Sequence, residues 1–337
     1  MLAHVAKPAS RRSDERVAPE KENLAWRRFR NPMDLRVAKA TCASCHSGLV
    51  HDLELSLHGT TAGHLSDGFY EVGLTDKKVS RFGVFARSAK PDERGDIERV
   101  IPPPAFSGHG DGAELSDHFP DLIRKECMQC HLYSEGRAVR GRVGLDGDYR
   151  GEGCAACHVP YAIDGLSESA DPTVRRNEPG HARAHSMVRA PATETCTSCH
   201  YGDASIGMHF RGLSQLPPGA VGGPDVPGTT DTLLNRAYYL SDPAVTPPDV
   251  HHERGMHCVD CHTLGDVMGD GKLHGAMEDQ VEISCESCHG SFDEYTQMVT
   301  ERGTPLTQLV HQDGGIWLRS KVTGKLHPVT QVKDVID

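Results

Sequence analysis

Residues 257–262 read His-Cys-Val-Asp-Cys-His, and residues 285–289 read Cys-Glu-Ser-Cys-His. The same Cys-x-x-Cys-His form begins at Cys42, Cys127, Cys154 and Cys196. These six motifs consume all 12 cysteines of the chain. The reading of these stretches decides the fold, because it decides what the chain folds around.

Two cysteines three positions apart, with histidine directly after, form the attachment pattern of c-type haem. The spacing lets both sulfurs reach one edge of a porphyrin and form thioethers with its vinyl groups. The expected thioether residues are Cys42, Cys45, Cys127, Cys130, Cys154, Cys157, Cys196, Cys199, Cys258, Cys261, Cys285 and Cys288. The next residue then lies over the ring face, where an imidazole can bind iron as the proximal ligand. The expected proximal ligands are His46, His131, His158, His200, His262 and His289. The expected cofactor is therefore covalent haem c, six per chain.

Paired cysteines also build zinc sites, redox dithiols and disulfide frameworks. None of these needs a histidine after every second cysteine. The chain holds 21 histidines in 337 residues. Six coincidences would arise by chance on the order of once in ten million.

Composition fits a fold organised around cofactors. Hydrophobic residues make up 37% and aromatics 5%, lean for a core of this length. The 35 glycines and 21 prolines point to many turns. The expected fold is mainly α, with long irregular loops and little sheet, in a haem-organised architecture. The formal charge of −11 and the lack of a basic tract argue against nucleic-acid binding. No apolar run reaches 18 residues, so no transmembrane segment is expected in this chain.

Residues 1–30 read as a polar arm and 31–210 as a first haem-binding region holding four motifs. Asn31-Pro32 resembles a helix start, with asparagine as the cap and proline at the first helical position. The Pro- and Gly-rich stretch 211–250 reads as a linker or long loop, with a short helix around 231–240. Residues 251–337 read as a second region holding motifs five and six. There Ser291 and Glu294 have capping-box spacing and predict a helix ending near Gly303. Alternation over 316–332 around Thr323-Gly324 predicts a C-terminal hairpin. First cysteines at 42, 127, 154, 196, 258 and 285 leave two intervals of 27 residues, 127/154 and 258/285. These short intervals predict two close haem pairs.

A second imidazole on each iron must come from the other histidines. His118, His185 and His274 precede the next motif by 9, 11 and 11 residues, and His257 abuts Cys258. The pool is completed by His58, His64, His209, His251, His252, His311 and His327. Met187, Met208 and Met256 are weaker alternatives.

The six motifs resemble those of bacterial multihaem c-type cytochromes. The most family-like stretch runs from His257-Cys-Val-Asp-Cys-His262 through Met268-Gly-Asp-Gly271 to Cys285-Glu-Ser-Cys-His289-Gly290. The resemblance implies bis-histidine haems of low potential and a periplasmic or cell-surface location. It also implies electron exchange with other redox proteins: cytochromes, and quinol-linked or terminal reductases. The start, Met1-Leu-Ala-His-Val-Ala, lacks a signal-peptide hydrophobic region. That location therefore leads us to expect a piece of a larger polypeptide or a misassigned start.

Three functions are compatible with six such sites. The first is a relay passing single electrons between respiratory partners. The second is an oxidoreductase acting on a small nitrogen or sulfur compound, such as nitrite, hydroxylamine or tetrathionate, at one open-coordination haem. Related nitrite reductases often carry Cys-x-x-Cys-Lys at that haem, which this chain lacks. Tyr201 and Tyr295 are the residues near motifs that such an enzyme would draw on, although packing explains tyrosines of this kind equally well. The third is an oligomer stacked into a conductive filament. The sequence favours the carrier over the enzyme and assigns no catalytic residue.

Overall fold

Helix α1 (Leu35–Thr41) starts at Asp34, whose carboxylate accepts the Arg36 N–H at 2.8 Å. This satisfies a backbone donor that the helix leaves open. The sequence places the cap at Asn31. There Asn31 Oδ1 accepts from Met33 N at 2.9 Å and closes only a turn. Helix α2 (Ala43–Leu55) follows at once and kinks at His46. Helices α3 (Leu57–Thr60) and α4 (Ala62–Glu71) continue the run. The computed structural model describes residues 24, 25, 28, 31–79, 81–83, 87–88, 99–100, 131–133, 153–159, 187–197, 199–200, 206–215, 239–240, 244 and 246–336.

The chain forms two compact units. The first holds Met1–Arg140, Gly144–Val159 and Met268–Gln280; the second holds Gly141–Val143, Pro160–Val267 and Val281–Asp337. Motifs one to three fall in the first unit and motifs four to six in the second.

In the first unit, Leu35, Ala38, Val50 and Leu53 of α1 and α2 pack with Leu132 and Tyr133. Cys42, Cys154 and Met268 lie against this cluster, so the first and third motifs share one core. Full burial of such a leucine contributes about 1.5–3 kcal/mol. Arg36 ties the cluster together, donating from Nη2 to Tyr133 O. Gly153 N donates to Leu132 O at 2.8 Å, joining the end of motif two to the start of motif three. The third motif forms α5 (Ala155–His158). Strands β1 (Arg87–Ser88) and β2 (Arg99–Val100) form a short antiparallel pair.

Residues 268–280 complete this unit from far along the chain. Leu273 is fully buried with Leu55, Ala62 and Val100. Gln280 Oε1 accepts from Leu57 N at 2.9 Å, and Asp67 Oδ2 accepts from Met277 N at 2.9 Å. At Gly269, φ is +91° and an added Cβ would lie 2.4 Å from Asp52 O. Only glycine permits that backbone and that approach.

The second unit is built on short helices and one sheet. Helix α6 (Thr193–Thr197) carries Cys196, and α7 (Ile206–Phe210) follows motif four. Strands β3 (Ser214–Gln215) and β4 (Tyr239–Leu240) pair antiparallel. The helix expected around 231–240 lies outside the described residues except for Tyr239 and Leu240, which are in β4. Helices α8 (Val250–Glu253), α9 (Cys258–Cys261) and α10 (Leu264–Met268) lead to α11 (Glu286–His289).

Strands β5 (Leu309–Gln312), β6 (Gly315–Arg319) and β7 (Leu326–Val329) form an antiparallel sheet in chain order. Asp313 and Gly314, both at positive φ (51° and 78°), join β5 to β6. An Asp-Gly pair in this conformation matches the twist of the flanking strands. Leu306, Leu309 and Leu318 pack with Met256 and against Cys288. The C-terminal helix α12 (Val332–Ile336) ends the described chain.

The helix expected after motif six is absent. Ser291 Oγ does accept the Glu294 N–H at 3.1 Å, as a cap would. The chain then turns instead: Ser291 N donates to Glu294 O at 2.8 Å. Thr296 N is taken by Gln331 Oε1 at 3.0 Å, and Met298 sits at φ +57°. A side chain from distant sequence thus claims a donor the helix would need.

Candidate haem-attachment sites

Five motifs are described in full or nearly so, and they share one backbone device. The histidine N–H donates to the first cysteine carbonyl, at 2.9 Å for His46→Cys42 and 3.0 Å for His158→Cys154. The distances are 2.9 Å for His200→Cys196, 2.8 Å for His262→Cys258 and 2.9 Å for His289→Cys285. One helical turn brings residues i and i+3 to the same face. Both sulfurs of a motif therefore face one side, as two thioethers to one porphyrin edge require. None of the ten described cysteines is in a disulfide. Among the described residues no three His, Cys, Asp or Glu side chains gather as a metal-ion site. Cys127 and Cys130 lie outside the described residues; His131 lies within them.

The motifs come together within each unit. In the first, burial and then Cys42 push the Cys154 thiol up to about 11. In the second, Cys196 lies beside Cys258 and, with Thr193, draws its thiol below the usual range against the effect of burial. Burial and then Cys288 push the Cys261 thiol up to about 12, although that residue keeps part of its surface in solvent. Motif five thus adjoins motif four through its first cysteine and feels the charge of motif six at its second. These thiols titrate only before haem is attached.

Two proximal histidines are oriented by partners on Nδ1. His262 Nδ1 lies 2.5 Å from Asp266 Oδ2, on α10. The hydrogen bond to Asp266 raises the imidazole pKa, against the effect of burial. His289 Nδ1 lies 2.7 Å from the Thr330 carbonyl. A carboxylate and a carbonyl only accept, so each Nδ1 carries a hydrogen, and in the neutral ring each Nε2 keeps its lone pair. That is the tautomer an iron ligand needs. The donor set therefore fits haem c.

Asp260, fully buried inside motif five, anchors the surroundings. Its carboxylate accepts from His257 N at 2.9 Å and from Lys321 N at 2.6 Å. Lys321 Nζ donates to Val259 O at 2.6 Å. Gln331 Nε2 donates to Cys288 O at 3.0 Å. The sheet end and the segment before α12 thus hold motifs five and six by their backbones.

The candidate distal histidines divide by environment. His118 and His185 lie outside the described residues, as does Tyr201. His257 accepts the Thr193 N–H on Nδ1 at 3.2 Å, which leaves its hydrogen on Nε2. His274 is buried, with Nε2 3.1 Å from Asp270 Oδ1. His58 lies on α3, His64 is exposed on α4, and His209 is exposed on α7. His252 packs on Phe210 at 5.0 Å between ring centroids, and burial and then Arg211 lower its pKa. His251 faces His289, with ring centroids 6.0 Å apart. His311 is exposed on β5. His327 is buried on β7, and its Nε2 has no hydrogen-bond partner among the described residues.

Of the methionines, Met187 is exposed and Met256 sits in the core. The side chain of Met208 lies outside the described residues. Tyr295 donates its hydroxyl to Asp334 Oδ1 at 2.8 Å, beneath Lys333, which is a packing role. The sequence reading missed Asp266, although its place four residues after His262 on a short helix is a legible signal. It also missed the Thr330 carbonyl, for which no sequence signal exists.

Residues 235–290, which contain motifs five and six, match the family described as cytochrome c554 and c-prime. The match supports reading the chain as a c-type cytochrome, an electron carrier with covalently bound haem c. Comparison with curated proteins and with solved structures gave no match. No helix among the described residues is long and apolar enough to cross a membrane.

Proposed function

We propose that the chain is a hexahaem c-type cytochrome that passes single electrons between respiratory redox partners. The observation that carries this reading is the gathering of motifs four to six in one compact unit, where Cys258 lies beside Cys196 and Cys288 packs against the cluster of Met256 and the C-terminal sheet. Attachment points gathered in one unit keep neighbouring cofactors close, as a relay requires. Haem supplies a one-electron iron couple at each site, whose potential is set by axial ligand, hydrogen bonding and burial. The chain's own residues hold those settings: Asp266 on His262, Thr330 on His289, and the seats made by Asp260 and Gln331.

The location is periplasmic or at the cell surface. The partners are other cytochromes and quinol-linked or terminal reductases. The formal charge of −11 favours partners with a basic docking face.

Two measurements test the proposal. The denatured mass of the chain from a haem-maturing host should exceed the polypeptide mass by six haems. Low-temperature electron paramagnetic resonance of the oxidised protein should be low-spin and unmoved by nitrite, hydroxylamine or cyanide. A high-spin signal that responds to those molecules would replace the carrier with an enzyme. A mass without haem would end both readings.

A further inference from the structure

We infer that His251 and His289 are the two axial ligands of one iron, that of the sixth motif; the inference rests on the haem reading above. Two imidazoles on opposite sides of one iron set a definite ring separation. With a metal–nitrogen bond of about 2.0 Å and about 1.15 Å from nitrogen to ring centre, the centroids lie about 6.3 Å apart. The His251 and His289 ring centroids are 6.0 Å apart, with planes at 55°.

A plain aromatic contact also falls within about 4.5–7 Å. The Nδ1 atoms distinguish the two cases. His251 Nδ1 lies 2.9 Å from Asp249 Oδ1, and His289 Nδ1 lies 2.7 Å from Thr330 O. Both partners only accept, so both rings carry hydrogen on Nδ1 and a lone pair on Nε2. Two imidazoles in the ligand tautomer, each tethered by Nδ1, stand one iron's width apart.

The backbone holds this arrangement. Asp249 caps α8, accepting the His251 N–H at 2.8 Å. Met256 N donates to His251 O at 2.9 Å, and the Met256 side chain packs in the cluster that Cys288 joins. Helix α8 is thereby seated beside motif six. The neighbouring histidine faces elsewhere: His252 packs on Phe210, close to Arg211 and Glu194. His257 cannot substitute in this arrangement, because its Nδ1 accepts from Thr193.

The test uses the full chain matured with haem, with carbon monoxide as the probe of an open iron position in the reduced protein. His251→Ala should keep six haems by denatured mass and bind one more carbon monoxide per chain than the parent. His251→Met guards against loss of the fold, since it keeps a ligand. It should give a sulfur-to-iron charge-transfer band absent from the parent. A second background, Cys285→Ala with Cys288→Ala, lacks the sixth haem. In it, His251→Ala should add no carbon monoxide binding. Parent-like spectra from both His251 variants would overturn the inference. So would an added carbon monoxide site that survives loss of the sixth haem, because His251 would then serve another iron. Absence of haem from the parent mass would instead overturn the underlying function.

Discussion

His262 and Asp266 stand one helical turn apart, with Nδ1 and Oδ2 separated by 2.5 Å. The carboxylate fixes the ring orientation and makes the opposite nitrogen a stronger donor to iron. His289 has only a carbonyl in the same place. The two motifs therefore differ in the charge behind the expected proximal ligand, which would set a haem at motif five to the lower potential.

Asp266→Asn should raise the potential of one haem and leave the others in place. The expected change is about tenfold in the reduced-to-oxidised ratio at a fixed potential, about 59 mV for a one-electron couple. Spectroelectrochemical titration of parent and variant measures it. Superimposable titrations would show that Asp266 only positions the ring.

Asp260→Ala removes the acceptor for both His257 N and Lys321 N. Both donors are then left in a buried site. The expected loss of stability is about 2–5 kcal/mol, since each donor left without its partner costs about 1–3 kcal/mol and both hydrogen bonds end on one carboxylate. Urea unfolding followed at the Soret band reads it. Asp260→Asn, which keeps an acceptor oxygen, should lose less.

Gly290 follows motif six at φ 66° and ψ −166°, a region nearly closed to other residues. An added Cβ would lie 2.4 Å from Glu294 O and 2.7 Å from Thr296 N. Gly290→Ala should cost about 1–3 kcal/mol from the backbone alone. The midpoint of thermal unfolding should fall.

In the haem-free chain, alkylation should follow thiolate content. Cys196 and Thr193 draw the Cys258 thiol down, whereas burial and Cys42 push Cys154 up to about 11. Near pH 8, Cys258 is then largely thiolate and Cys154 almost wholly thiol. Iodoacetamide should label Cys258 first, and Cys154 only as pH rises toward its own range. Peptide mass mapping across pH gives the order, and faster labelling of Cys154 at pH 8 would contradict the arrangement.

Much of the candidate site was legible in the chain. The motifs name the expected thioether cysteines and proximal histidines because thioether attachment demands one spacing, which a single helical turn can supply. The helix before motif one was legible in its apolar residues, but its cap was not: Asn31 and Asp34 are both capping residues, and packing of Leu35 selected the second. The capping pattern at Ser291 was misleading because Gln331, 40 positions on, takes the Thr296 donor.

The amino-acid sequence by itself determined the cofactor chemistry, since Cys-x-x-Cys-His is a local device whose every part lies within five residues. Tertiary structure alone decided which motifs gather, with Cys42 beside Cys154, Cys258 beside Cys196, and Cys261 near Cys288. It also decided which neutral imidazole keeps its lone pair on Nε2, as His251 does and His257 does not. The reason is physical. A ring's tautomer and direction are set by the acceptor or donor that reaches Nδ1, and those partners come from a helix cap, a distant carbonyl or another motif's backbone.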